Sequence, residues 1–304
     1  MSRVLFLFLD GVGLGPASTD NPLSSLPLPS FRRLAGDQPW TADARIVSRP
    51  RLVFRPIDAT LGLEGLPQSG TGQAALFTGE NAAQTHGRHF GPYPPTTVRE
   101  SVEQRSMFAQ LAEKVGPDRL AFANAFPERF FRHVEGRGRW TATTLAARAA
   151  GVRLRREADV RAGRALPADL TGKTWQRLFD ADASPITERE AARRLAALLE
   201  GHVFVLQEYF HTDKAGHSRE PARAASVLES LDRFFAGLLD ELSPRDLLLV
   251  TSDHGNIEDL GTKSHTRNPV PLVAWGTGAA AFSECESLLD VTPALVELLL
   301  QAKS

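Results

Sequence analysis

The sequence predicts an α/β fold, a three-layer α/β/α arrangement with a mostly parallel central sheet, and three observations predict it. Short apolar runs without alternation suit strands covered on both faces. Helix-period patterns lie between those runs, as in a repeating βα chain. Metal-binding residue types stand just past the ends of the runs, on the edge where open α/β sheets build their sites.

The first run, VLFLFL at 4–9, predicts a strand that ends at Asp10. At six residues it is too short for a membrane span, and it lacks the small-residue cleavage site of a signal peptide. SVEQRSMFAQLAEKVG at 101–116 predicts a helix closed by Gly116, and RLAFANAF at 119–126 a strand. TEREAARRLAALLEG at 187–201 carries an apolar stripe, early acids and a terminal glycine, the marks of a helix. HVFVLQEYF at 202–210, DLLLVTSDH at 246–254 and VPLVAWG at 270–276 predict three more strands. A helix over 221–242 separates the first two of these. Earlier, between the strand at 119–126 and the helix at 187–201, residues 127–185 break the pattern with PERFFRHVEGRGRW and a polar stretch of weak periodicity. The expected organisation is a catalytic core of 1–126 and 186–304, with 127–185 inserted as a small cap or a set of loops.

Composition narrows the function. The 304 residues are 42% hydrophobic and 23% charged, an ordinary globular balance. A net charge of −1 gives no bulk attraction to nucleic acid or to an anionic membrane. No stretch reaches the roughly 18 apolar residues of a span. The single cysteine, Cys285, excludes an intrachain disulfide and fits a reducing, cytoplasmic setting.

Six side chains suited to divalent metal recur at these strand ends and in one loop. They are Asp10, Asp213, His217, Asp253, His254 and His265. Asp213 and His217 are four apart and share a face if a helix starts near Asp213. Carboxylates and imidazoles together favour zinc, manganese or iron over calcium or magnesium. Two such ions bring a charge of +4 against −3 from the aspartates, a surplus that favours an alkoxide and a phosphate oxygen. Ser69, in LPQSGTGQ, is the hydroxyl that such a centre would activate. QAALFTG then predicts a short helix ending at Gly79, which would put Ser69 at an anion-favouring helix N-terminus. The stretch is neither a Walker loop nor the elbow of an α/β-hydrolase. Thr71 is a second hydroxyl, two residues on.

The stretches LFLDGVG, SGTGQ, DKAGH, SDHGN and SHTRNPVP resemble, in order, the motifs of the alkaline phosphatase superfamily. The closest likeness is to the metalloenzyme branch that holds cofactor-independent phosphoglycerate mutase and phosphopentomutase. The resemblance implies one ion held by Asp213, His217 and His265, and a second by Asp10, Asp253, His254 and the nucleophile Ser69. Gln73 stands where the family often has histidine. The expected function is phosphoryl transfer on a small phosphorylated metabolite, by a phosphatase or a phosphomutase working through a phosphoserine, with two manganese or zinc ions. A phosphodiesterase-like hydrolase and a catalytically silent binding protein of the same fold are the alternatives. Thr71, Gln73 and the arginines Arg129, Arg132, Arg137 and Arg139 of the insertion are the expected substrate contacts, since arginine grips phosphate bidentately.

Overall fold

The computed structural model describes residues 2–179 and 184–301. Its main sheet has seven strands: β1 (Arg3–Leu9), β2 (Val47–Arg49), β3 (Leu52–Ile57), β4 (Leu120–Phe122), β7 (Phe204–Tyr209), β8 (Asp246–Ser252) and β9 (Val270–Gly276). They lie in the order β2-β3-β9-β8-β1-β7-β4. A separate two-stranded sheet pairs β5 (Ala125–Phe126) with β6 (Arg155–Arg156).

The run β8-β1-β7-β4 is parallel. β9 is antiparallel to β8, and β3 and β2 continue that sense to the edge. The sheet is therefore mixed, with a parallel core. Sequence reading found β9 as an apolar run but not its direction, and it missed β2 and β3. Their stretch, VSRPRLVFRPI, is short and interrupted by arginine and proline, as suits strands near an edge.

Alternation along β1 builds the three layers. Val4, Phe6 and Phe8 enter one buried cluster with the helices Ser69–Thr78, Met107–Val115 and Leu288–Gln301. Leu5, Leu7 and Leu9 enter another with the helices Glu188–Ala197 and Pro221–Glu241. All six are fully buried, and burying one such side chain contributes roughly 1.5–3 kcal/mol. A charge at any of them would break the layer. The Phe8 ring meets Phe77 edge-on at 5.4 Å, which fastens the helix begun by Ser69 to the strand that delivers Asp10.

One expectation needs correction. The helix expected over 101–116 is two, Thr96–Arg105 and Met107–Val115. Ser106 between them is extended, and its hydroxyl caps the second helix by accepting from the Ala109 N–H. The 127–185 segment also reaches into the core. Its helix Ala142–Ala149 buries Ala142, Leu145, Ala146 and Ala147 in the main apolar cluster and belongs to the helical layer. Ala125 of β5, Trp175 of the helix Lys173–Phe179, Val160 and Ala165 form a small apolar cluster of their own.

Candidate metal centre and nucleophile

Asp10 follows β1, and its N–H donates to the Tyr209 carbonyl at the end of the neighbouring β7. Asp213 and His217 lie one turn apart on the helix His211–Ser218, which starts straight after β7. Asp253 and His254 follow β8, and His265 lies in the loop that leads to β9. Ser69 opens the helix Ser69–Thr78. Gly72 in its first turn permits the approach: a methyl group there would stand 2.9 Å from the Asp253 carbonyl oxygen.

Two groups result. In one, the potential ligand atoms of Asp213, His217 and His265 lie within 4.8 Å of one another; Asp10, Asp253 and His254 form the other on the same criterion. In the first, His217 Nε2 is 3.4 Å and His265 Nε2 3.6 Å from Asp213 Oδ1. Each histidine is oriented from behind. His217 Nδ1 is 2.8 Å from the Lys263 carbonyl, and His265 Nδ1 is 2.7 Å from the Pro67 carbonyl. Both Nε2 lone pairs are thereby aimed inward, the usual outer support of metal-binding imidazoles. In the second group, His254 Nε2 is 3.4 Å from Asp10 Oδ1 and 3.5 Å from Asp253 Oδ2. Ser69 Oγ lies 3.0 Å from the same nitrogen. The His254 and His265 rings stack at 3.7 Å, so the two groups adjoin.

The chemistry of these donors fits a pair of cations. Asp253 and His254 are wholly buried, and Asp10 is 8% exposed. Among the described residues, Asp10 Oδ1 is buried without a hydrogen-bond partner. Burial, and then repulsion from Asp253, Asp213 and Glu208, holds the Asp10 carboxyl well above its ordinary range. Asp253 is raised too, chiefly by burial. His254 is pushed down to about 3 by burial and by the nearby His265, so its ring is neutral and offers a lone pair. Buried carboxylates against a neutral imidazole are costly until a cation joins them.

The residues expected as substrate contacts lie in different places. Gln73 is buried, and its amide donates to Asp253 Oδ2 at 3.0 Å and to Asp10 Oδ2 at 3.4 Å. Thr71 is wholly buried; its hydroxyl accepts from the Phe90 N–H and donates to backbone carbonyls, which keeps it from acting as a nucleophile. Arg129 lines a cavity beside the centre. Arg132 and Arg139 are exposed and are not part of that lining, and the Arg137 side chain lies outside the described residues.

Sequence reading missed Glu258 and Asn256. Glu258 is 2% exposed and accepts from the Gly13 and Asn256 N–H groups at 2.8 and 2.7 Å, from Asn268 Nδ2 at 3.1 Å and from the Thr266 hydroxyl. One carboxylate thus ties together the loops that carry Asp10, Asp253 with His254, and His265. Asn256 donates to Asp213 Oδ1 at 2.6 Å. Gly216 makes this contact possible, because a side chain there would collide with Asn256. The signal was in the sequence, as the asparagine of SDHGN and a glutamate two residues on.

Comparison with known proteins agrees with this centre. Residues 179–303 match the Metalloenzyme superfamily. That match covers the segment that brings Asp213, His217, Asp253, His254 and His265. Relatives include a phosphopentomutase of Chromohalobacter salexigens, 45% identical over 65 residues, 21% of this chain and 16% of that protein. A 2,3-bisphosphoglycerate-independent phosphoglycerate mutase of Desulforudis audaxviator is 30% identical over 122 residues, 38% of this chain and 24% of that one. The chain therefore matches under a quarter of the length of these two relatives. The alkaline phosphatase of the Antarctic bacterium TAB5 superposes with a TM-score of 0.57 at 13% identity over 99% of both chains, a likeness of fold. The resemblance read from the motifs holds.

Proposed function

We propose that the chain is a two-metal-dependent phosphoryl-transfer enzyme that acts on a small phosphorylated metabolite through a phosphoserine at Ser69. One observation carries the reading: Ser69 Oγ sits 3.0 Å from His254 Nε2, beside the buried carboxyls of Asp10 and Asp253. Asp213, His217 and His265 would hold one ion, and Asp10, Asp253 and His254 the other, with manganese or zinc suited to these donors. Bound there, the ions would supply Lewis acidity, lowering the serine pKa and offsetting charge on the phosphoryl oxygens.

The chain's own residues do the rest. Ser69 Oγ forms a bond to phosphorus as the bond from phosphorus to the ester oxygen breaks. The serine proton goes to solvent, and the departing alcohol takes one from it. Gln73 and Asn256 hold the carboxylates of Asp253 and Asp213 in place throughout. Water then cleaves the phosphoserine in a phosphatase, whereas a second hydroxyl of the same metabolite takes the phosphoryl group in a phosphomutase. The net charge of −1 and the lack of any described helix long and apolar enough to cross a membrane favour a small substrate over nucleic acid or a lipid surface.

The test is reconstitution with manganese or zinc, followed by an assay on a panel of phosphate monoesters. Turnover should need metal and should be lost in Asp213→Asn. Protein that holds two ions and turns over no ester would overturn the proposal.

A further inference from the structure

The cavity beside the metal centre is made of different material from the centre itself. It encloses about 610 Å³ between the C-terminal end of β7 and the inserted elements. That is the size of a small-molecule site. Phe126, Phe130, Trp175 and Phe210 form its walls, and Glu208 and Lys214 line the side toward Asp10. Both of those charges act on Asp10, and Lys214 directly follows Asp213, so the cavity adjoins the place where a phosphoryl group would sit.

The walls are flat. Phe126 and Phe130 stack at 4.3 Å with 25° between their planes. Phe210 stacks on His211 at 5.0 Å and 15°. Lys214 Nζ stands 4.2 Å from the centre of the Phe210 ring, a cation held at the apolar edge.

Three polar groups of the lining, Asn124, Asp169 and Glu208, are engaged already; Arg129, His133, His211 and Lys214 line it too. Asn124 gives its amide N–H to the Glu208 carbonyl at 2.8 Å and accepts the Glu208 N–H at 2.7 Å. The Asp169 oxygens accept from the N–H groups of Gly172 and Thr174, at 3.0 and 2.5 Å. Glu208 Oε2 accepts from the Thr143 hydroxyl at 2.6 Å. A pentose or a glycerate would bring several hydroxyls that each need a partner; these three groups have little left to offer, and the aromatic walls offer none.

We propose that this cavity takes the alcohol part of the substrate, and that this part is a flat apolar ring system. The substrate class is then aryl or heteroaryl phosphate monoesters rather than pentose or glycerate phosphates. The assignment rests on the phosphoryl-transfer reading above. The phosphate would face the metal centre and Lys214, and the ring would slide between the Phe126–Phe130 pair and Phe210.

Binding and turnover test it separately on the metal-loaded protein. By calorimetry, 1-naphthylmethylphosphonate, which cannot be hydrolysed, should bind roughly tenfold or more tightly than methylphosphonate. Phe130→Ala should remove most of that difference. Phe130→Leu, which keeps apolar bulk but not the flat face, should restore only part of it. In turnover, 1-naphthyl phosphate should have a higher kcat/KM than ribose 5-phosphate or 3-phosphoglycerate, and Phe130→Ala should raise KM for the naphthyl ester with little change in kcat. Equal binding of the two phosphonates, or preferred turnover of ribose 5-phosphate, would overturn the assignment. Tight, Phe130-dependent binding of the naphthyl phosphonate without turnover of any ester would uphold the aryl site and overturn the phosphoryl-transfer reading instead.

Discussion

Gln73 donates its side-chain amide to Asp253 Oδ2 at 3.0 Å, in an interior where both residues are all but closed to water. The same nitrogen reaches Asp10 Oδ2 at 3.4 Å, so one neutral amide bridges two acids of the proposed second metal group. A residue expected from the sequence to contact substrate thus lies hydrogen-bonded between two buried acids.

Gln73→Leu keeps similar bulk and removes the donor. The metal-free protein should lose about 1–3 kcal/mol in urea unfolding, the cost of leaving buried acceptors unmet. Metal affinity should drop by about 10–100-fold, as when other outer supports of a metal site are removed. No change in either quantity would show that the amide does not position the acids.

Glu258 offers a sharper case, because its carboxylate joins three ligand-bearing loops. Glu258→Gln keeps the shape, but its amide nitrogen cannot accept. It should weaken metal binding at both groups while far-UV circular dichroism stays unchanged. Loss at one group alone would mean that the loops are held independently.

Much of this architecture was legible in the chain. The unbroken run of β1 could only be a doubly covered strand, and the positions of Asp10, Asp213 and Asp253 after their strands placed them on one edge. The direction of β9 was not legible, since an apolar run reads alike both ways and only pairing with β8 fixes it. Glu258 and Asn256 were missed because their partners come from loops far apart in sequence. The arginines of the insertion drew attention as possible phosphate grips, yet Arg132 and Arg139 are exposed, and the nearby signal is the aromatic wall of Phe126 and Phe130.

Stability should depend on pH in a way that metal reverses. The Asp10 and Asp253 carboxyls are both raised in the folded chain, mainly by burial. A raised acid leaves stability untouched below the unfolded value of about 4 and lowers it as pH climbs from there through the folded value. These two carboxyls should thus lower the melting temperature of metal-free protein from about pH 4 toward neutrality. The neutral His254 ring pulls the opposite way below the unfolded histidine value. Manganese or zinc should raise the melting temperature more at neutral pH than near pH 5, because the ion binds the ionised acids. An equal shift at both pH values would separate these carboxylates from metal binding.

His265→Ala should empty the group with Asp213 and His217 more than the group with Asp10. Elemental analysis should then fall from about two ions per chain toward one, the expected result when one of three protein ligands is lost. Equal loss at both groups would contradict the grouping.

The central claim is that Ser69 takes the phosphoryl group, and trapping that intermediate tests it most directly. Metal-loaded protein, mixed with an aryl phosphate and quenched in acid within the first turnovers, should yield a peptide phosphorylated on Ser69 by mass spectrometry. Ser69→Ala should yield none and should lose several orders of magnitude in kcat, on the order of the loss seen for other nucleophiles. Phosphate on Thr71, or near-normal turnover by Ser69→Ala, would contradict the account.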